Sequence, residues 1–239
     1  MTTSCQQEDS WDCIQKSGDI IEQSYQPGIF TKIRVNRGVE LILKQSEQHY
    51  VKVVTGENLL NDVDISLDNN QLIISDFNHC NFVRDYNITK VYVTSPNIKE
   101  IVCSTQYPIS SVDTLNYDQL NLVSENYQKP DVYSVGDFDL TVNCNKLNVF
   151  SNGVSIFNID GQVNDLFVGF YSGVGRFEGK ALKAENVRIF HDGQNDIMVN
   201  PQQSLTGQLR STGNVLSFNE PPELDIFSLY QGEIIFIDN

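Results

Sequence analysis

From Phe30 onward the chain alternates apolar and polar residues over short spans, and Gly, Asn and Asp separate one span from the next. TKIRV, VELILK, YVKVVTG, DVDISLD, QLIISD and KVYVTS are rich in Val, Ile and Leu, which fit a pleated, half-buried surface; each predicts a strand. No span of useful length carries the helical period. LKAENV near 182–187 comes closest, and it is too short to stand alone. The pattern therefore predicts an all-β protein.

The second half adds a longer period. FSNG, FYSG, FHDG and RSTG place Gly153, Gly173, Gly193 and Gly213 at equal intervals of 20 residues. Apolar or small columns precede them at Leu147/Val149, Phe167/Gly169, Val187/Ile189 and Gly207/Leu209, and second strands follow at Phe157/Ile159, Phe177/Gly179 and Ile197/Val199. Such a period predicts a single-stranded right-handed parallel β-helix, a β-solenoid with rungs of about 20 residues, in which stacking buries the face that one rung cannot bury alone. The four glycines would be corner turns, bending the chain with φ > 0. Weaker rungs are expected at 98–114 and 115–139. Within the second of these, ENYQKPDVY should project as a loop, making Tyr127, Lys129 and Tyr133 a candidate binding element or part of a tolerated insertion.

Phe150, Phe170 and Phe190 recur with the same interval and predict an aromatic column. Strict alternation from Val149, Gly169 and Ile189 points the rings outward, where they would stack on sugars or partner surfaces. The aggregation hazard of three exposed rings favours an internal stack instead. His191 and Asp192 sit in the same corner as Gly193 and are expected to face solvent.

Charge and cysteine usage narrow the setting. The chain has 239 residues, with 31 acidic against 16 basic, a formal charge of -15, so its field repels phosphate backbones and no nucleic-acid partner is expected. No apolar run is long enough to span a bilayer as a helix. The start, MTTSCQQEDSWD, looks like a bacterial lipoprotein just past its processing site, which makes Cys5 the candidate lipidated residue and residues 1–18 a tether or leader remnant ahead of one domain over 19–239. Cys103 and Cys144 lie in apolar alternation, as buried thiols do. Cys13 and Cys80 lie in polar, turn-like contexts. In an oxidising compartment they would form a disulfide closing a loop of roughly 65 residues, worth about 3–4 kcal/mol through the unfolded state; in a reducing one they would remain thiols. With no Cys-x-x-Cys pair and three scattered histidines, no metal site is expected.

Several local pieces, in order, resemble a known family. They are Phe30-x-x-Ile33, the strand ending in Lys44-Gln45, Val51-x-Val53 followed by Glu57-Asn58-Leu59, Gln71-Leu72-Ile73-Ile74, and Val91-Tyr92-Val93 leading to Ser95-Pro96. Together they resemble the auto-transporter adhesin "head GIN domain" family of gram-negative bacteria over roughly residues 10–220, and Asp12-Cys13 and Cys80-x-x-x-Arg84 look like its lipoprotein members. The resemblance implies a parallel β-helix on an exported, lipid-anchored protein of the outer membrane or periplasm, with an adhesin role. It supplies no catalytic residues.

Enzymatic chemistry finds little to stand on. Inverting glycoside hydrolysis needs two carboxyl groups about 6.5–9.5 Å apart. The 20-residue columns Asp160, Lys180, Asn200, Glu220 and Asn152, Ser172, Asp192, Thr212 give no adjacent acids. A lyase built on Arg176 or Arg188 has no motif behind it, and Asp192-Gly193-x-Asn195-Asp196 lacks the spacing and terminal Glu of a calcium loop. The expectation is a non-catalytic, cofactor-free surface or periplasmic protein that presents its wall to a glycan or protein partner, touching the membrane only through a lipid. The rival readings are a β-helical polysaccharide-degrading hydrolase or lyase, and a structural component of the cell envelope.

Overall fold

A computed structural model describes residues 15–78, 80–86, 88–126 and 133–237. Its elements are strands apart from one 3-10 turn at Leu60–Asp62 among the described residues. The 17 strands among the described residues belong to one sheet.

The second half carries the regular part. Strands β10 (Leu115–Ser124), β11 (Phe138–Ser151), β12 (Ile156–Phe170), β13 (Arg176–His191) and β14 (Ile197–Leu209) pair in parallel, each with the next. Beyond β14, β15 (Val215–Ser217) and β16 (Glu223–Ser228) pair with it in parallel, and β17 (Ile234–Phe236) pairs with β15. Leu115 lies opposite Val142, an offset of 27 that absorbs the insertion at 125–136. Later offsets are shorter: Phe138 faces Phe157, and Phe157 faces Phe177.

The first half overturns the expected right-handed parallel β-helix. Strands β1 (Ile20–Tyr25), β4 (Tyr50–Gly56) and β7 (Lys90–Ser95) are joined antiparallel, as are β5 (Val63–Asp68) and β6 (Gln71–Asp76). The parallel pairs there are out of chain order. Strand β2 (Lys32–Val35) sits between β6 and β8 (Glu100–Cys103), and β3 (Glu40–Gln45) sits between β7 and β9 (Ile109–Ser111). The chain lays down β2 and β3, adds β6 and β7 on one side, then returns with β8 and β9 on the other. One mixed sheet results, wrapped nearly closed and barrel-like around its core, rather than a helix of uniform rungs. Alternation does not distinguish these cases, because a half-buried strand has the same period whichever direction its neighbour runs.

One continuous cluster of buried side chains runs from Phe30 to Val215. Strand β11 shows how it is filled: Phe138, Leu140, Val142 and Cys144 point in, while Asp139, Asn143 and Asn145 stay exposed. Phe138 and Phe157 stack with centroids 4.9 Å apart, and Phe170 continues the row 5.9 Å from Phe157. Each such ring contributes about 1.5–3 kcal/mol by leaving water. Charged pairs mark the register outside: Lys32 faces Glu100 at 3.9 Å, and Lys90 faces Glu40 at 3.1 Å.

Candidate functional site

The parallel ladder from β11 to β16 presents its alternate residues outward in columns. One column reads Asn148, Phe167, Arg188, Thr206, Asp225; a second reads Phe150, Gly169, Phe190, Gln208, Phe227. The inward columns between them, such as Val149, Val168, Ile189 and Gly207, anchor both to the core. Rigid strands thus hold aromatic and guanidinium groups side by side on one outer face.

Gly169 organises this face. A methyl group there would lie 2.9 Å from the Phe167 ring and 3.1 Å from the Tyr171 hydroxyl, so both side chains lie over the bare backbone. The Phe150 and Phe167 centroids are 5.7 Å apart, and those of Tyr171 and Phe190 are 5.3 Å apart, both pairs tilted. Arg188 places its guanidinium carbon 4.6 Å from the Phe167 centroid, and Arg210 sits 5.6 Å from that of Phe190. Between them lies a shallow groove of about 270 Å³ lined by Phe167, Tyr171, Arg188, Phe190 and Gln208. A second groove of about 340 Å³ shares Phe167 and Arg188 and adds Lys146, Asp165, Asn186, Ser204 and Thr206. Burial pushes the Tyr171 phenol above its ordinary pKa, and Glu125 adds to this while Arg188 opposes it. Tyr171 is therefore a neutral hydroxyl near pH 7, able to donate and accept.

The expected Phe column does not exist as such. Between β11 and β12 the offset is 19, so Phe150 faces Gly169 and Phe170 faces Ser151. Phe170 is fully buried against His191, whereas Phe150 and Phe190 are half-buried on the outer face. A one-residue slip in register moves a side chain to the opposite face. His191 follows Phe170 inward, 1 % exposed, correcting the expectation that it faces solvent. Its Nδ1 accepts from the Gly193 N–H at 3.3 Å, and burial lowers its pKa below the usual 6.5. Asp192 remains part-exposed at the corner.

The corner glycines sit in consecutive bends, but only Gly173 has a positive φ, 85°. At the others the requirement is close approach. A methyl group on Gly153 would lie 2.0 Å from the Ser134 carbonyl, and one on Gly213 would lie 2.4 Å from the Asn195 carbonyl. Gly193 is looser, with its nearest backbone neighbour 3.5 Å away.

The columns weighed for hydrolysis dissolve in the real register: Asp160 faces Thr141, and Asn200 faces Lys183. Arg176 is paired with Glu178 at 3.4 Å. Of the candidate loop, Tyr127 and Lys129 lie outside the described residues. Tyr133 is exposed, with Arg37 packed 5.3 Å from its ring, and its N–H donates to Ser104 Oγ at 2.9 Å. Cys5 and Cys13 lie outside the described residues. Cys80 borders a loop tied down by Arg84, whose Nη2 donates to the Cys80 carbonyl at 2.8 Å and whose Nη1 donates to the Gln15 carbonyl at 3.2 Å. Cys103 and Cys144 are buried free thiols. The outer aromatic and arginine face was missed because its members come from different repeats. Only the correct register assembles them.

Residues 29–221 match the family model described as "putative auto-transporter adhesin, head GIN domain". No curated protein matches the chain. Among solved structures, it is similar to a "putative adhesin" from Bacteroides fragilis, with 22 % identity and a TM-score of 0.82 over 93 % of this chain and 100 % of that one. It is also similar to a "putative adhesin" from Parabacteroides merdae (18 % identity, TM-score 0.61, 94 % and 99 %). A third structure is a "putative lipid binding protein" from Parabacteroides distasonis (14 % identity, TM-score 0.61, 92 % and 100 %). At these identities the likeness is one of fold.

Proposed function

This chain belongs to the head GIN domain family of auto-transporter adhesins, and we propose that it acts by binding a glycan on the outer face of its parallel ladder. The observation that carries this reading is the group formed by Phe150, Phe167, Tyr171 and Phe190, assembled around Gly169 and bordered by two grooves. Aromatic faces held rigidly at a surface stack on the apolar face of a sugar at little entropic cost, and the polar groups beside them satisfy its hydroxyls. Nothing in this arrangement requires a reaction. Binding extended over several repeats gives avidity from contacts that are individually weak.

The protein is exported in this reading and held at the envelope by a lipid on Cys5. A Cys13–Cys80 disulfide would secure the segment before β1. The Arg84 bridge between the Gln15 and Cys80 carbonyls supports that pairing, since it brings the chain two residues from Cys13 beside Cys80.

The test is glycan-array binding by wild-type, Phe167→Ala and Tyr127→Ala proteins. Wild-type protein is expected to bind a subset of glycans, and Phe167→Ala to lose at least about tenfold, the scale of a central aromatic contact. Loss with Tyr127→Ala alone would move the site to the 125–136 loop. No binding to any glycan would overturn the proposal. Mass spectrometry of protein made from the full natural gene should show acylated Cys5, and an unmodified N-terminus upstream of it would remove the anchor.

A further inference from the structure

The formal charge of -15 makes the two arginines on the proposed binding face conspicuous. Arg188 and Arg210 lie on the rings of Phe167 and Phe190, and stacking of this kind holds a guanidinium plane while leaving the edges of its fork available. Ion pairs elsewhere on the surface use Lys32, Lys52, Lys90 and Arg176. Among the described residues neither the Arg188 nor the Arg210 guanidinium has a carboxylate within 4.0 Å, and neither guanidinium donates a hydrogen bond to another side chain or carbonyl. Arg188 stands opposite Thr206 and lines both grooves, while Arg210 follows Leu209 four positions further along the next strand and lies on Phe190, so two oriented forks with unused donors are displayed at different points along the strip.

We infer that this face selects acidic saccharides, with Arg188 in the grooves and Arg210 further along the strip binding anionic groups of a saccharide whose ring stacks on the exposed Tyr171. This inference rests on the proposed glycan-binding role and adds the class of glycan. An arginine fork matches a carboxylate or a sulfate through two parallel hydrogen bonds. Ser204, Thr206 and Gln208 are neutral groups suited to hydroxyls. The overall charge argues against a long polyanion as the preferred ligand. Glu125 acts on Tyr171, Asp165 lines the second groove and Asp225 ends one outward column, and their repulsion grows with each added anionic unit. A short saccharide with one or two acidic groups meets the arginines directly, while at physiological ionic strength the more distant acids are screened over about 8 Å.

The experiment is calorimetric titration with three sets of trisaccharides of matched backbone: neutral, carboxylated (galacturonic acid) and sulfated. Wild-type protein is expected to bind at least one acidic set about tenfold more tightly than the neutral one, a difference of about 1.4 kcal/mol. Arg188→Gln should remove the larger part of that preference and Arg210→Gln a smaller part, each lowering affinity for the acidic set by more than for the neutral one. Arg188→Lys, which keeps the charge and loses the fork, should recover only part of it. Phe167→Ala should weaken all sets together. Melting temperatures within about 2 °C of wild type would show that the variants are folded, since a shift of that size corresponds to about 0.5–1 kcal/mol for a chain this long. The two acidic arms distinguish carboxylate from sulfate as the natural group. Equal affinity for neutral and acidic sugars, or acidic binding untouched by both arginine variants, would overturn the inference and leave glycan binding standing. Absence of binding to all three sets, together with an empty glycan array, would remove both.

Discussion

Alanine at the four repeated glycines separates the sequence period from the geometry beneath it. By period alone Gly153, Gly173, Gly193 and Gly213 are equivalent, yet their surroundings differ. Gly173 combines a φ of 85° with a would-be Cβ 2.3 Å from the Gly153 carbonyl. The left-handed conformation costs an L-residue roughly 1–2 kcal/mol, and forcing an atom into packed surroundings adds about 1–3 kcal/mol. Gly173→Ala should therefore lose about 2–5 kcal/mol. Gly193 has no positive φ, and its nearest contacts are the buried His191 ring at 3.1 Å, which would have to give by a few tenths of an ångström, and a backbone oxygen at 3.5 Å. There the lower entropy of an unfolded chain with alanine, about 0.4–1 kcal/mol, offsets a small adjustment, and Gly193→Ala should lie within about 1 kcal/mol of wild type. Urea denaturation followed by far-UV circular dichroism measures both, with the midpoint shift at constant slope reporting stability. Equal losses at Gly173 and Gly193 would refute the reasoning, because they would mean that the bend itself, rather than its contact with the preceding repeat, makes glycine necessary.

Other consequences follow from burial. Phe157→Ala, at the centre of the ring stack, should cost about 3–5 kcal/mol in the same assay. His191 is held neutral by burial, so its folded pKa lies below its unfolded value of 6.5. The unfolded chain then binds the extra proton as pH falls below 6.5, stability drops until the folded pKa is passed, and His191→Gln should flatten that part of the profile; an unchanged profile would count against the buried assignment. The thiols of Cys103 and Cys144 are pushed up to about 12 by burial, so iodoacetamide at pH 8 should label neither until the protein is denatured. Asp76 accepts from Thr89 Oγ1 at 2.6 Å and from the Asn78 N–H at 2.8 Å, and Asp76→Ala should destabilise by about 2–4 kcal/mol by leaving those buried donors unpaired.

What the sequence made legible follows from what alternation encodes. KIRV, ELILKQ, YVKVVTG, VDISLD, QLIISD and KVYVTS all form strands, because inward apolar residues separated by polar ones state which face is buried. The same letters are silent on which strand lies next. Nothing local marks that β2 lies between β6 and β8, or that β4 runs antiparallel to β7, so extending the later period towards the N-terminus produced the wrong architecture.

The offset between β11 and β12 shows why a small error of this kind reaches function. Counting 20 residues groups Phe150, Phe170 and Phe190 as one column; the real offset of 19 at that step, and 21 after the irregularity near Gly161, sends Phe170 into the core with His191 and leaves Phe150 and Phe190 outside. Gly169 then falls between those two rings, and its missing side chain is the space that Phe167 and Tyr171 fill. The binding face is thus a product of a deviation from the repeat. A chain in which Phe170 stood opposite Phe150 would stack its phenylalanines and have no such face, so deleting Val154, which at a held offset of 19 brings Phe170 to the place of Gly169, should bury or disorder the strip and abolish glycan binding. Retained binding in a folded deletion variant would show that the face does not depend on this register.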